Sequence, residues 1–135
     1  MTHAIRIHAP GGPEAFVWER VEVPRPGPGE ALIRHTAVGV NYIDVYHRTG
    51  LYPLPAMPAT IGMEAAGVIE AVGPGVTEVK PGDRVAYACP PTGAYAEYRV
   101  VPAAQMVKLP HGIAHETAAA MMLKGMTAQY LLKDT

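Results

Sequence analysis

Two short segments of the chain carry hydrogen-bonding side chains that could contact a small molecule. The first holds Asn41, Asp44, Tyr46 and Tyr52, and the second begins at Glu64 within a glycine-rich run. Amide, carboxylate and phenol groups can position a reacting carbonyl and stabilise its developing charge through hydrogen bonds. These residue types are therefore candidates for a polar site.

The residues of the first segment also have structural explanations. Asn41 is placed to cap a short helix running through about His47, and Asp44 to satisfy amides of its first turn. Tyr46 and Tyr52 are equally explained as core aromatics with a hydrated hydroxyl. Both explanations stay open, although a proline-rich neighbouring segment favours a pocket for the two tyrosines.

Glu64 and the later Thr127 have structural alternatives as well. A carboxylate between glycines can form an ion pair with an arginine such as Arg48 or Arg84. Thr127 can act as a helix cap after Gly125. The sequence does not choose between these roles and a role at a site.

Metal ligands are scarce in the sequence. The single cysteine, Cys89, excludes both an intrachain disulfide framework and a cysteine-based zinc knuckle. Only His111 and His115 have an H-x-x-x-H spacing, and they enclose Gly112 in a predicted loop. We expect no metal site, and the cysteine content favours a reducing compartment, with the cytoplasm as the expectation.

The elements that would position these residues are mostly strands. Fourteen glycines and fourteen prolines in 135 residues indicate many turns and argue against a helical bundle. Short apolar runs bounded by such turns predict six or seven strands and hence a barrel or sandwich. The predicted strands cover residues 4–7, 16–23, 31–38, 65–72, 84–88, 95–101 and 106–109, the first two forming a hairpin.

Two further segments differ from this pattern. Residues 50–60 contain three prolines, which keep the backbone extended and rigid and suit a pocket wall. From Ile113 onward the apolar residues follow a helical period, with a possible break at Gly125. We therefore divide the chain into residues 1–112, a β domain, and residues 113–135, a helical segment.

Charge and hydropathy exclude several function classes. The formal net charge is −1 and the basic residues are scattered, so no footprint for nucleic acid or an anionic membrane is present. No apolar stretch reaches the length of a spanning helix, and the N-terminus has no signal-peptide pattern. We expect a protein without nucleic-acid or membrane partners.

Five motifs in order resemble a known family. The run at 62–73 resembles G-H-E-x-x-G-x-V-x-x-x-G of the medium-chain dehydrogenase/reductase superfamily, with Met63 in place of histidine and Ile69 in place of valine. Residues 41–52 are similar to the N-x-x-D-x-Y-x-R-x-G-x-Y segment of its zinc-independent, zeta-crystallin-like quinone oxidoreductases. The remaining motifs are a P-G-D-R-V turn at 81–85, G-x-Y-A-E-Y at 93–98 and G-x-T-A at 125–128.

The resemblance implies a mainly β, GroES-like barrel with short helices, followed by a helical segment leading into a Rossmann domain. No glycine-rich phosphate loop follows Leu132, so we expect the sequence to be a fragment. In zinc-dependent members, position 41 is a cysteine ligand and position 63 a histidine ligand. Asn41 and Met63 therefore imply a zinc-free site that reduces electron-poor acceptors rather than oxidising alcohols.

By resemblance the expected activity is hydride transfer from NADPH to a quinone, in a homo-oligomer. The implied catalytic residues are Tyr46, Tyr52 and Asp44, with Asn41, Thr127 and Tyr46 at the cofactor and Glu64 behind the site. Two alternatives remain open. The same pocket would suit a reductase of α,β-unsaturated carbonyls, and the barrel alone would suit a non-catalytic binding module.

Overall fold

The computed structural model describes residues 1–133, which form eight strands, one short and one long helix, and connecting turns. Helix α1 spans Tyr42–Thr49 and helix α2 spans His115–Lys133, while Pro13–Ala15 and Ala103–Gln105 form single 3₁₀ turns. The strands are β1 Thr2–Ile7, β2 Val17–Val21, β3 Glu30–Gly39, β4 Ala59–Thr60, β5 Glu64–Val72, β6 Arg84–Ala88, β7 Tyr98–Pro102 and β8 Val107–Lys108.

The strands form two antiparallel sheets, with orders β2-β1-β4 and β7-β3-β5-β6-β8. The segment before β7 joins them, because Tyr95 C=O accepts from Ile5 N–H at 2.8 Å and Glu97 C=O accepts from His35 N–H at 2.8 Å. The two sheets thus close around one core. The predicted mainly β architecture and the β1–β2 hairpin are confirmed.

Strand β5 is buried on both faces. Successive side chains of a strand point to opposite sides of the sheet, so Ala65 and Ile69 face the barrel interior while Ala66 faces α2. The interior is completed by large apolar residues such as Tyr87 and Val101. This double burial explains why β5 has no polar residue between Glu64 and Glu70.

Helix α2 packs closely on the outer face of the five-stranded sheet through Ala118 and Ala119. The approach requires Gly39, because a Cβ there would collide with the carbonyl oxygen of Ala119 and with the Glu64 side chain. The possible break at Gly125 does not occur. One interior glycine costs about 1 kcal/mol relative to alanine, and its neighbours, mostly good helix formers, compensate for it.

Several predicted boundaries also shift, and strand β4 was not predicted. The strand predicted from residue 95 begins at Tyr98, because residues 95–97 bond across to other strands instead of continuing one ladder. The predicted strand 16–23 shortens to β2. The last two residues of the predicted segment 113–135 lie outside the described residues. Across residues 1–133, none of the helices is long and apolar enough to cross a membrane.

Candidate active site

Three polar side chains meet where β3, β5 and α2 converge, and we call them the Asn41–Glu64–Lys124 junction. Asn41 follows β3 and is the N-cap of α1, and Glu64 is the first residue of β5. Gly39 pairs with Glu64 across the two strands, which brings Asn41 beside Glu64. Helix α2 crosses this corner at Lys124.

Every oxygen of the Glu64 carboxylate is bonded, although the residue is 0% exposed. Oε1 accepts from Asn41 Nδ2 at 2.7 Å and from Lys124 Nζ at 3.3 Å, and Oε2 accepts from the Leu123 backbone N–H at 2.7 Å. A buried carboxylate is tolerated only with such partners. Glu64 therefore fastens the end of β3 and the middle of α2 to β5.

The alternative that pairs Glu64 with Arg48 or Arg84 is wrong. Arg48 Nε donates to Gly11 C=O at 3.2 Å, and Arg84 donates to Ile113 C=O at 2.5 Å. The register explains the second case, since Arg84 pairs with Val68, four residues along β5 from Glu64.

Lys124 is the functional candidate that sequence reasoning missed. Its Nζ also donates to Asn41 Oδ1 at 2.7 Å, and its side chain is 59% exposed, so the ammonium group lies at the border between the junction and solvent. The sequence signal that could have identified Lys124 is its spacing from Thr127 on the predicted helix. Residues three apart on a helix share one face, and Lys124 stands three before Thr127.

Thr127 lies on the exposed part of α2, where its hydroxyl donates to Leu123 C=O at 2.8 Å. The bond runs within the helix, so Thr127 does not act as a cap after Gly125. The structure places it one turn from Lys124 and does not join it to Asn41 by a hydrogen bond. Its predicted role at the cofactor stays a prediction.

Asp44 is turned into the protein rather than toward solvent. Its Oδ2 accepts from the Asn41 backbone N–H at 2.9 Å, which closes a capping box, and from the Tyr95 hydroxyl at 2.8 Å. Burial, the hydrogen bond to Asp44 and the charge of Asp44 all raise the pKa of Tyr95. This geometry fixes the start of α1, and the predicted catalytic role of Asp44 stays a prediction.

Tyr46 and Tyr52 are brought together at the end of α1. Their ring centroids are 5.0 Å apart, and the Tyr52 backbone N–H donates to Tyr46 C=O at 3.1 Å. Tyr42 and His47 extend the cluster by edge contacts at 5.2 Å to Tyr46 and 6.2 Å to Tyr52. Tyr52 is 48% exposed, so it is not a core aromatic.

An open cleft of about 530 Å³ lies beside Met63, within the size range of small-molecule sites. Helix α1 forms one wall through Ile43 and His47, and the Pro90–Pro91 turn forms another. The proline-rich segment contributes Leu54, Pro55, Ala56, Ala59 and Thr60, in agreement with its predicted use as a pocket wall.

The donor set at this cleft does not fit a zinc ion. Zinc in proteins is bound by thiolate, imidazole or carboxylate groups. Met63 offers a thioether and Asn41 an amide, and His47 is the one described residue lining the cleft that carries any of these groups, which is too few for a zinc site. Among residues 1–133, no group of three histidines, cysteines, aspartates or glutamates is placed to hold a metal.

A second buried polar cluster lies away from the cleft. His35 Nδ1–H donates to Ala96 C=O at 2.6 Å, and the Tyr87 hydroxyl donates to His35 Nε2 at 3.0 Å. Burial lowers the pKa of His35 to about 4 and raises the pKa of Tyr87 to about 12. The imidazole is therefore neutral in the folded protein, and the cluster closes the barrel.

The barrel, its covering helix and the corner at Glu64 define a known class of domain. Residues 27–111 match the alcohol dehydrogenase GroES-like domain family, and the chain belongs to that family.

Particular relatives extend over the whole chain. A quinone oxidoreductase of Pseudomonas aeruginosa is 50% identical over 100% of this chain and 42% of the relative. A 2-haloacrylate reductase of a Burkholderia species is 49% identical over 100% of this chain and 42% of the relative. The crystal structure of Escherichia coli quinone oxidoreductase complexed with NADPH has a TM-score of 0.95 at 42% identity, covering 97% of this chain and 40% of that one. The chain thus spans about two fifths of the length of these relatives.

Proposed function

We propose that this chain is the catalytic part of an NADPH-dependent enzyme that transfers hydride to a quinone without a metal. The observation that carries the proposal is the mostly apolar cleft beside Met63, one residue from the junction at Glu64. By resemblance, positions 41 and 63 are metal ligands in zinc-dependent members, and here they are Asn41 and Met63. A quinone is already electron-poor, so hydrogen bonding and positioning suffice for its reduction. Relatives named as quinone oxidoreductases, one of them in complex with NADPH, support the proposal.

The proposed residue roles follow the junction and the aromatic cluster. When bound, NADPH would supply the hydride, while Asn41, Thr127 and Tyr46 hold its nicotinamide end. The polar and exposed surroundings of Thr127 and Lys124 suit the carboxamide of that ring. Tyr46 and Tyr52 are not among the described residues that line the cleft and would contact the acceptor from beside it. Glu64 positions Asn41 through the 2.7 Å bond. Asp44 holds the start of α1, from which Tyr46 projects.

We also propose that residues 1–112 form the catalytic domain and 113–135 lead into a nucleotide-binding domain of the whole protein. The two halves of α2 support this division. Ala118 and Ala119 are buried against the sheet, whereas Met126, Tyr130, Leu131 and Leu132 are exposed. An apolar helix end of this kind needs a covering surface, which the rest of the protein would provide.

The division is testable with two proteins, residues 1–135 and the full-length chain. Calorimetric titration should show NADPH binding to the full-length protein and little or none to residues 1–135, because the phosphate-binding loop belongs to the other domain. The short protein should also self-associate through α2, as measured by light scattering, and we propose a homo-oligomer for the whole enzyme. Tight NADPH binding by residues 1–135 would contradict the division.

A reductase of α,β-unsaturated carbonyls is the second candidate, because one relative is named 2-haloacrylate reductase. A haloacrylate carries a carboxylate, which calls for a cationic partner in the pocket. Neither lysine nor arginine is among the described residues that line the cleft, and its one ionisable side chain among them is His47. The cleft therefore favours a neutral acceptor, a quinone ahead of an unsaturated acid.

The experiment compares acceptors with the purified full-length enzyme. We expect NADPH oxidation with 1,4-benzoquinone at a kcat/KM at least tenfold above that with a neutral enone or with 2-chloroacrylate, and no oxidation of simple alcohols. A preference for 2-chloroacrylate would establish the second candidate instead. We place the enzyme in the cytoplasm on its cysteine usage, with a small electrophile as its partner and no nucleic acid.

A further inference from the structure

His47 is the one ionisable side chain among the described residues that line the cleft. The other lining residues are apolar except for the hydroxyls of Thr60 and Thr92. A mostly apolar pocket gains its orientation of a ligand from a few polar groups. An imidazole in such surroundings therefore has a large influence on which molecules bind and in which direction.

The hydrogen-bonding capacity of His47 is unused within the described residues. Its Nδ1 is buried and has no hydrogen-bond partner, and no described residue bonds to its Nε2. Polar atoms left unpaired in a folded protein are uncommon and call for an explanation. A bound ligand could accept from Nε2, which is not among the buried unpaired atoms, whereas the buried Nδ1 would keep an unpaired lone pair.

Neighbouring rings hold the imidazole in place. His47 lies one residue after Tyr46 on α1, and its ring meets the edge of Tyr52 at a centroid distance of 6.2 Å and an interplanar angle of 64°. The main-chain bond from Tyr52 to Tyr46 keeps this ring set together. The imidazole is thus presented to the cleft by a fixed helix and not by a loop.

We infer that His47 contacts the substrate, donating from Nε2 to a carbonyl oxygen of the acceptor, and that it selects carbonyl acceptors in this cleft. A proton on the buried Nδ1 would have no acceptor, whereas a proton on Nε2, which is not among the buried unpaired atoms, can be donated to a ligand. The inference rests on the proposed function and names a specificity residue for it.

Three full-length proteins test this role: the wild type, H47F and H47Q. Phenylalanine keeps the edge contact with Tyr52 and lacks a donor, whereas glutamine keeps an N–H donor. We expect H47F to raise the KM for 1,4-benzoquinone about tenfold, the value of one neutral hydrogen bond, with the KM for NADPH unchanged. H47Q should recover most of the wild-type KM. H111F, at an exposed histidine outside the cleft, is the matched control.

The outcomes separate the two claims. A wild-type KM in H47F, or equal increases in H47F and H47Q, would overturn the role of His47 while leaving the proposed function intact. If the wild-type enzyme fails to oxidise NADPH when any quinone or enone is supplied as acceptor, the proposed function is overturned and this inference with it. Thermal unfolding of each variant establishes that all of them are folded under assay conditions.

Discussion

Two adjacent residues at the start of β5 belong to opposite kinds of environment. Glu64 is fully buried in the junction with every carboxylate oxygen bonded, whereas Met63 borders an open and mostly apolar cleft. The junction fixes the relative positions of two helices, and the cleft leaves room for a ligand. The difference teaches that in this domain the strongest polar interactions serve architecture, while the candidate chemistry lies beside them on a less polar surface.

The largest expected effect on stability comes from a substitution of Glu64, which tests the contrast between the junction and the cleft. E64A leaves Leu123 N–H and Asn41 Nδ2 without their acceptor inside the protein, so we expect a loss of about 3 to 4 kcal/mol in the free energy of unfolding. Urea denaturation of residues 1–135 measures it. M63L, one residue away, keeps the side-chain volume and should cost about 1 kcal/mol or less. Equal losses in the two variants would contradict the contrast.

The second prediction concerns the His35 cluster, a group of buried polar side chains outside the cleft, and its effect on the pH dependence of stability. The folded pKa of His35 is about 4, below the ordinary value of 6.5, so the unfolded chain binds a proton that the folded chain excludes. Stability is therefore unaffected above about pH 6.5 and falls between about pH 6.5 and 4, by roughly 3 kcal/mol. Thermal unfolding across this range should show the fall in the wild type.

The matched control for this prediction is H35Q, which cannot take up the proton. Carboxylates also titrate in this pH range, but they do so in both proteins. The difference in the pH dependence of stability between wild type and H35Q therefore reports the contribution of His35 alone. We expect the pH dependence to be shallower in H35Q by the amount given above. Identical slopes in the two proteins would show that His35 is protonated in the folded state.

Lys124, on the solvent-exposed side of the junction, should affect activity more than stability. Because its ammonium group is largely exposed, K124M should cost only about 1 kcal/mol of stability or less. In the full-length enzyme, however, we expect kcat/KM for the quinone to fall about tenfold, since the cation beside Asn41 is lost at the nicotinamide end. K124R keeps the charge and should recover much of the activity. An unchanged kcat/KM in K124M would limit Lys124 to a structural role.

The smallest effect on stability is expected in the aromatic cluster. Y46F and Y52F keep the ring contacts and remove a hydroxyl at the surface, so each should change the free energy of unfolding by less than about 0.5 kcal/mol. In the full-length enzyme the same variants should raise the KM for the quinone a few-fold if the hydroxyls touch the substrate. A stability loss of several kcal/mol would show that the tyrosines belong to the core.

The sequence predicted most of the strands because their signals are local. Turns rich in glycine and proline bound each strand, and the capping position of Asn41 follows from neighbouring residues alone. The continuity of α2 through Gly125 could not be read in this way, because helix formers on both sides and packing of Ala118 and Ala119 on β5 outweigh one glycine.

The site was predicted less completely because most of its contacts join residues that are far apart in the sequence. The grouping of Tyr46 with Tyr52 follows from their spacing along α1 and the turn after it. The partner of Glu64 was missed because Lys124 lies 60 residues away along the chain, and only the packing of α2 on β5 brings the two together. The cleft is likewise built from four separate segments. His47 stands out only because the other described residues lining the cleft are mostly apolar, and the sequence does not show which residues those are.

The central claim is that this domain supports NADPH-dependent reduction of an electron-poor acceptor without a metal. The most direct measurement is the kcat/KM of the full-length enzyme for 1,4-benzoquinone before and after exhaustive chelation, with the bound metal quantified by mass spectrometry. The account predicts the same value in both preparations, with less than about one tenth of a zinc ion per chain. Loss of activity on chelation and its recovery on addition of zinc would contradict it.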